Sequence, residues 1–290
     1  MKYMFGRLAS GGKDKQLYAR SVSYVRFGTQ MIFSMIATAE NTVWIHPFCS
    51  EMNVLIDNTG EIIEQIDYKR KYGNAIIEGK RHIITSYSDK SVVESTELGL
   101  VTVYSTVPFI PFSVCQSRGG GLLVSLIEGD RSDITSLTKG EVHHVDLKGS
   151  LIKRYAKEKD SDSALFTWPH KVAQNVNLDL CVLDSTTGKE GNILKIISVD
   201  GRPRFTYSGH PGMETGFIAG DVVCDSTGRI LVTDHLNNNI HVLSADGDFL
   251  HYLIKAQDDL REPCSLSLYD DTLWVGCRNG TIRNYRIKLK

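Results

Sequence analysis

The stretch from Phe217 to Ile254, FIAGDVVCDSTGRILVTDHLNNNIHVLSADGDFLHYLI, reads as four short strands joined by compact turns. Asp225-Ser226-Thr227-Gly228 separates Gly220–Cys224 from the apolar run Ile230-Leu231-Val232. Asp246-Gly247 is a hairpin turn between Ile240–Ser244 and Phe249–Ile254. A single four-stranded sheet of this size cannot bury both of its faces, so a chain that contains one must supply neighbours to stack on it.

The rest of the sequence supplies them. A first unit runs from Met31 to Tyr68 with a turn at Asp57–Gly60, and a second from Asn74 to Val107 with a turn at Glu97-Leu98-Gly99. A third opens at Pro111, carries a polar insertion from Glu128 to Gly140, and ends near Tyr155. A fourth holds Lys171–Gln174, Asp179–Leu183, Ile193–Ser198 and Arg204–Tyr207, and a sixth follows the template from Cys264 to Ile287. The turn glycines Gly60, Gly99, Gly149, Gly201 and Gly247 lie 39, 50, 52 and 46 residues apart, a spacing that suits propeller blades with loops of variable length. The last unit is one strand short, and Ser21–Phe27 alternates polar and apolar residues with no partner nearby. An open ring would leave two sheet edges unpaired. The expected fold is therefore all-β: a six-bladed β-propeller of four-stranded antiparallel blades, its ring closed by an N-terminal strand. Residues 1–18 are expected to form a flexible tail and residues 19–290 the propeller.

Composition narrows the function. Lys and Arg number 33 against 34 Asp and Glu, for a formal charge of −1, so no global field draws nucleic acid or an anionic membrane. The N-terminus lacks the apolar run of a signal peptide, and the longest apolar stretch, Met31 to Ala37, is far too short to span a bilayer, so a cytoplasmic protein without membrane contact is expected. Cys49, Cys115, Cys181, Cys224, Cys264 and Cys277 include no CxxC pair and read as small apolar residues in strands.

The fifth unit, GDVVCDSTGRILVTDHLNNNIHVLSADGDFL, resembles an NHL repeat in its D-x-x-G turn, Asp, Asn-rich loop and D-G hairpin, and PCSLSLYDDTLWVGCRNGTIRNYRI is similar to the closing blade of NHL-like propellers at the carboxyl end of tripartite-motif proteins. The resemblance is good over 217–287, fair near 111–155 and weak before 110. It implies a non-catalytic platform that recruits a partner protein, as the substrate-recognition propeller of a ubiquitin ligase does. This chain carries neither the Cys/His spacing of RING and B-box modules nor the heptads of a coiled coil, so the resemblance implies either a fragment of a longer protein with those modules upstream or a free-standing recognition domain.

No cofactor and no metal are expected. Asp234 with Asn237, Asn238 and Asn239 offers oxygen ligands, but these residue types also form turns by bonding to nearby backbone, which is the reading preferred here. No HExxH or GxSxG motif accompanies the histidines. Loops that join one blade to the next, or that connect middle strands, share one face. That face collects the partner-binding candidates Arg70, Lys71, Tyr72, Arg131, Trp168, His210, His235 and Arg278, with His170 beside Trp168. Arg, Tyr and Trp anchor protein interfaces. The same mixture also suits single-stranded RNA, the alternative reading. A metal-dependent lactonase-like enzyme ranks third.

Overall fold

The computed structural model describes residues 16–67, 71–77, 81–129, 135, 138–185, 192–211, 213 and 215–289. They form six four-stranded antiparallel sheets, each strand pairing with the next in sequence. The innermost strands are Ile32–Ala39, Lys71–Ile77, Ile110–Gln116, Trp168–Gln174, Ala219–Cys224 and Pro263–Tyr269. Each touches its neighbour around the axis and the last touches the first, so the blades make a closed propeller. Leu17–Arg26 pairs antiparallel with Thr281–Leu289 and is the outermost strand of the sixth blade. This closing strand starts at Leu17, four residues before the alternation in the sequence marks it, because Leu17 is buried in the core between blades five and six. Residues 1–15 of the expected tail, and most of the insertion from Glu128 to Gly140, lie outside the described residues. Among the described residues no helix is long and apolar enough to cross a membrane.

The recurrent turns share one chemistry. Asp225 Oδ1 accepts the N–H groups of Thr227 and Arg229 and the Thr227 hydroxyl. Asp57 treats Thr59 and Glu61 in the same way, and Asp146 accepts from Lys148 and Ser150. A short carboxylate thus satisfies the backbone donors of the outer hairpins of blades one and three and of the inner hairpin of blade five, while the Ser198 and Ser244 hydroxyls accept those of the outer hairpins of blades four and five.

The core lies between blades. Leu231 and Val242 of blade five meet Leu273 and Val275 of blade six, and Ile32, Ile45 and Ile56 of blade one meet Trp274 and Ile282 of blade six across the seam. Each fully buried side chain of this kind contributes about 1.5–3 kcal/mol. Polar clips join the outer parts of two blade pairs. Tyr104 bonds His143 Nδ1 at 2.8 Å, and His143 Nε2 lies 2.9 Å from Glu141, which Arg154 also clamps. Tyr207, His241 and Asp234 repeat the arrangement between blades four and five. Five of the six cysteines sit in strands, and Cys49 stands exposed in a turn.

Every inner strand is bulged near the same level, between Ile32 and Ser34, Lys71 and Asn74, Pro111 and Ser113, Pro169 and Lys171, Ala219 and Val222, and Pro263 and Ser265. A bulge re-aims side chains and tolerates a proline that has no N–H to give. Hydroxyls on the second strands fill the gaps: Thr85 accepts from Gly73, Ser125 from Ser113, and Thr233 from Gly220 and Asp221.

Candidate functional site

The bulges of blades four and five bring two charged side chains together, and this pair lies between two cavities of the channel. Lys171 Nζ lies 3.2 Å from Asp221 Oδ2, with both side chains 9% exposed. The ammonium also donates to the Phe33 carbonyl at 3.2 Å and sits 5.4 Å from the Phe33 ring centre. Asp221 Oδ2 accepts the Leu266 N–H at 3.0 Å, and Oδ1 accepts that of Val222. Blades one, four, five and six thereby meet at one buried ion pair. Lys171 borders a cavity on either side, one of about 660 Å³ toward the turns that join first and second strands and one of about 430 Å³ toward the inter-blade loops.

The smaller cavity, the upper vestibule, has the size of a small-molecule pocket. Met31, Phe33, Phe48, Phe112 and Trp168 make its apolar wall. Phe33 packs on Phe48 at 5.9 Å, and Phe112 meets Trp168 edge to face at 5.5 Å. The rest of the lining is polar, and its His170 ring lies 6.0 Å from that of Trp168 on the same strand. Ser185 Oγ donates to Asn192 Oδ1 at 2.5 Å and lies 3.2 Å from His170 Nδ1. Asn192 Nδ2 donates to the Ala219 carbonyl at 2.7 Å and approaches His170 Nε2 at 3.4 Å. A hydroxyl has one proton, and Ser185 spends it on Asn192. In a neutral His170 ring, Nδ1 is then the donor to Ser185 and Nε2 the acceptor facing Asn192 Nδ2. The entry of the strand that carries Trp168, His170 and Lys171 is fixed by Asp184, whose carboxylate accepts the N–H groups of Thr167 and Trp168. Burial pushes the Asp184 pKa up, and Lys195, 2.8 Å away, opposes the shift.

The second histidine of the vestibule is His235. Arg278 Nη1 donates to its Nε2 at 3.3 Å. Burial first, and the Arg278 charge second, lower its pKa, so the imidazole is neutral at pH 7. Cys264 lies against the same cavity with its thiol donating to the Ile32 and Gly276 carbonyls, and burial raises its pKa far above that of a reactive thiolate.

Of the residues that the sequence suggested, Trp168, His235 and Arg278 converge on this vestibule, together with His170. Trp168 and His170 belong to the inner strand itself and not to a loop, because the bulge accommodates Pro169, which made the segment look like a connection. His210 stands apart, stacked on Phe249 at 4.2 Å. Arg70 and Arg131 lie outside the described residues; Lys71 and Tyr72 begin an inner strand of which the backbone is described there. Sequence reasoning missed Lys171, Asp221, Ser185 and Asn192. The available signal was a charge inside an inner strand, at Lys171 and Asp221, where alternation alone suggests a solvent face. Asp234 is no ligand candidate in this arrangement: it is fully buried, and its oxygens receive the Asn237 backbone and side-chain N–H groups.

A hard divalent cation needs several oxygen ligands, most of them anionic. Among the described residues that line the two cavities, Asp221 is the one carboxylate, and it already faces an ammonium and a backbone donor. Lys171 would repel a second cation placed there. The donor set does not fit such a metal.

No protein-family model and no curated protein sequence matches the chain. Solved structures do. A gluconolactonase from Xanthomonas campestris is 12% identical, with 97% of this chain and 99% of that one covered and a TM-score of 0.65. Regucalcin from Agrobacterium tumefaciens, described as a calcium-binding protein, is 15% identical over 93% of this chain and 95% of that one, with a TM-score of 0.65. Virginiamycin B lyase from Staphylococcus aureus is 11% identical over 93% and 99%, with a TM-score of 0.59. At these identities the likeness establishes a shared propeller fold.

These matches correct the expectation drawn from the fifth blade. Propellers superposing on the whole ring include a lactonase and a lyase, so a non-catalytic platform for a protein or RNA no longer follows from the architecture. The tripartite-motif resemblance gains no support beyond the turns of blades five and six. The physical reason is that those turns specify how a blade folds and leave the channel contents undetermined.

Proposed function

We propose that the chain is an enzyme that opens a C–O bond in a small cyclic ester or related compound bound in the upper vestibule, by histidine-based acid–base catalysis and without a divalent cation. The carrying observation is the His170, Ser185 and Asn192 network, which fixes one imidazole tautomer beside an apolar cavity on the channel axis. His170 Nε2 is the base that takes a proton from an attacking water, or from the carbon adjacent to the one that carries the leaving oxygen, so that the C–H electron pair forms a C=C as the C–O bond breaks onto oxygen. Arg278, with neutral His235 beside it, stabilises the negative charge that develops on oxygen. The apolar wall of Phe33, Phe48, Phe112 and Trp168 holds the body of the substrate and excludes water.

The lactonase and lyase names of similar propellers support this class of chemistry. A variant of virginiamycin B lyase in which alanine replaces a histidine is described as catalytically inactive, which supports a histidine in the role of base. Among the described residues the lining of the two cavities, with Asp221 as its one carboxylate, separates this proposal from a metal-dependent lactonase. We take the NHL-like pattern of blade five as a property of its turns.

The test is a panel of aliphatic and aromatic lactones assayed by proton release, with and without a chelator, for the wild-type chain and for His170→Gln. Turnover that survives chelation and falls by about 10²–10⁴ in the variant is expected. Turnover abolished by the chelator, or left intact in His170→Gln, would overturn the proposal.

A further inference from the structure

We infer that the upper vestibule selects a substrate bearing a single carboxylate, held by Arg278 against the apolar wall. This rests on the vestibule being the reaction site proposed above. The argument is a charge balance. Lys171 has its counter-ion in Asp221 at 3.2 Å. Arg278 has none among the described residues: its guanidinium bonds to His235, which is neutral because burial and the arginine itself keep it unprotonated. No acidic side chain borders the cavity among the described residues. Among the described residues, then, the lining holds one positive charge with no acidic side chain paired to it directly, Asp234 and Glu262 acting on His235 from farther off.

That charge borders a pocket of about 430 Å³ that is also lined by Phe33, Phe48, Phe112 and Trp168. A guanidinium offers two parallel N–H groups that match a carboxylate, and the low polarity of the wall strengthens the pairing. One net positive charge suits a monoanion better than a phosphate dianion. The ligand chemistry follows as an amphipathic monocarboxylate with a planar or ring-shaped apolar body. A neutral His235 matters here, since a protonated one would add a second cation and blur the selection.

The experiment measures binding alone, so its failure is distinct from a failure of catalysis. Phenylacetate and its neutral isostere phenylacetamide are titrated into the full chain by calorimetry, at low and at 0.5 M salt. The same titrations are made on Arg278→Gln, and on Arg20→Gln in the remote closing strand as a control. Phenylacetate is expected to bind at least tenfold more tightly than the amide, to weaken in high salt, and to lose its advantage in Arg278→Gln while keeping it in Arg20→Gln. Equal affinities for the two probes in the wild-type chain, or no binding of either, would overturn the inference whatever the variants do. Selective binding with no lactone turnover would leave this inference standing and defeat the catalytic proposal.

Discussion

Replacing Asp221 by asparagine removes one charge from the centre of the ring and little else. The two side chains are nearly isosteric; an asparagine with its oxygen at the Oδ2 position still accepts the Leu266 N–H, while its NH2 group replaces the acceptor of the Val222 N–H. What changes most is the environment of Lys171, whose 9% exposed ammonium is left with neutral oxygens, the amide and the Phe33 carbonyl, and no counter-ion. Breaking one half of a buried ion pair costs about 3–5 kcal/mol, because the other charge stays behind unpaired. Unfolding entropy of about 2.1 cal/mol/K per residue gives about 0.6 kcal/mol/K for 290 residues, so the midpoint should drop by about 5–8 °C. A double variant, Lys171→Met with Asp221→Asn, removes both charges and should recover part of the loss. Differential scanning calorimetry of the wild type, the single and the double variant measures all three. A drop below about 2 °C in Asp221→Asn, or a double variant as unstable as the single, would refute the view that this pair is a desolvated, mutually dependent unit.

Three further outcomes follow from the same geometry. Removing residues 1–15 should leave the thermal midpoint within a degree or two, whereas removing residues 1–28 takes away Leu17 and the strand that covers Thr281–Leu289 and should lower it several-fold more; equal midpoints would defeat the closure. Because burial lowers the pKa of both His235 and His251 below 6.5, the unfolded chain takes up their protons first on acidification; stability from these groups is complete above about pH 6.5 and lost below it, visible as a falling midpoint between pH 6.5 and 5, and Arg278→Gln should lessen the drop by relieving His235. Tyr104→Phe leaves the buried His143 without its 2.8 Å partner and should cost about 1–3 kcal/mol by chemical denaturation, with no effect on lactone turnover since the clip is remote from the vestibule.

The blades were legible in the sequence because their determinants are local. Asp57, Asp146 and Asp225 each bond to backbone within four residues, and Gly247, at φ of +91°, occupies a conformation in which an added Cβ would run into the Phe205 ring. Closure was legible too, since a ring one strand short leaves an edge that only the N-terminal strand can cover. The vestibule was legible in part. Trp168, His235 and Arg278 could be grouped because inter-blade and middle-strand loops share a face, but their partners could not. Lys171 and Asp221 lie on different blades, and no local pattern announces that two bulges turn them toward each other.

The same separation explains why the most recognisable blade misdirected the functional reading. The residues that make blade five resemble an NHL repeat are Asp225, Asp234, Asn237 and the Asp246-Gly247 turn. Asp225 is committed to its own hairpin, Asp234 and Asn237 to each other and to neighbouring backbone, and Asp246 to an ion pair with Arg204. Each is consumed in building the blade, so their pattern carries information about folding and none about a ligand. The groups that line the vestibule, His170, His235 and Arg278, sit where an inner strand opens or a middle loop turns, positions that the ring must provide but whose occupants it does not dictate. A propeller can therefore keep its blade signature while its channel face changes from a protein-binding rim to a reaction vessel, and function has to be read from the vestibule.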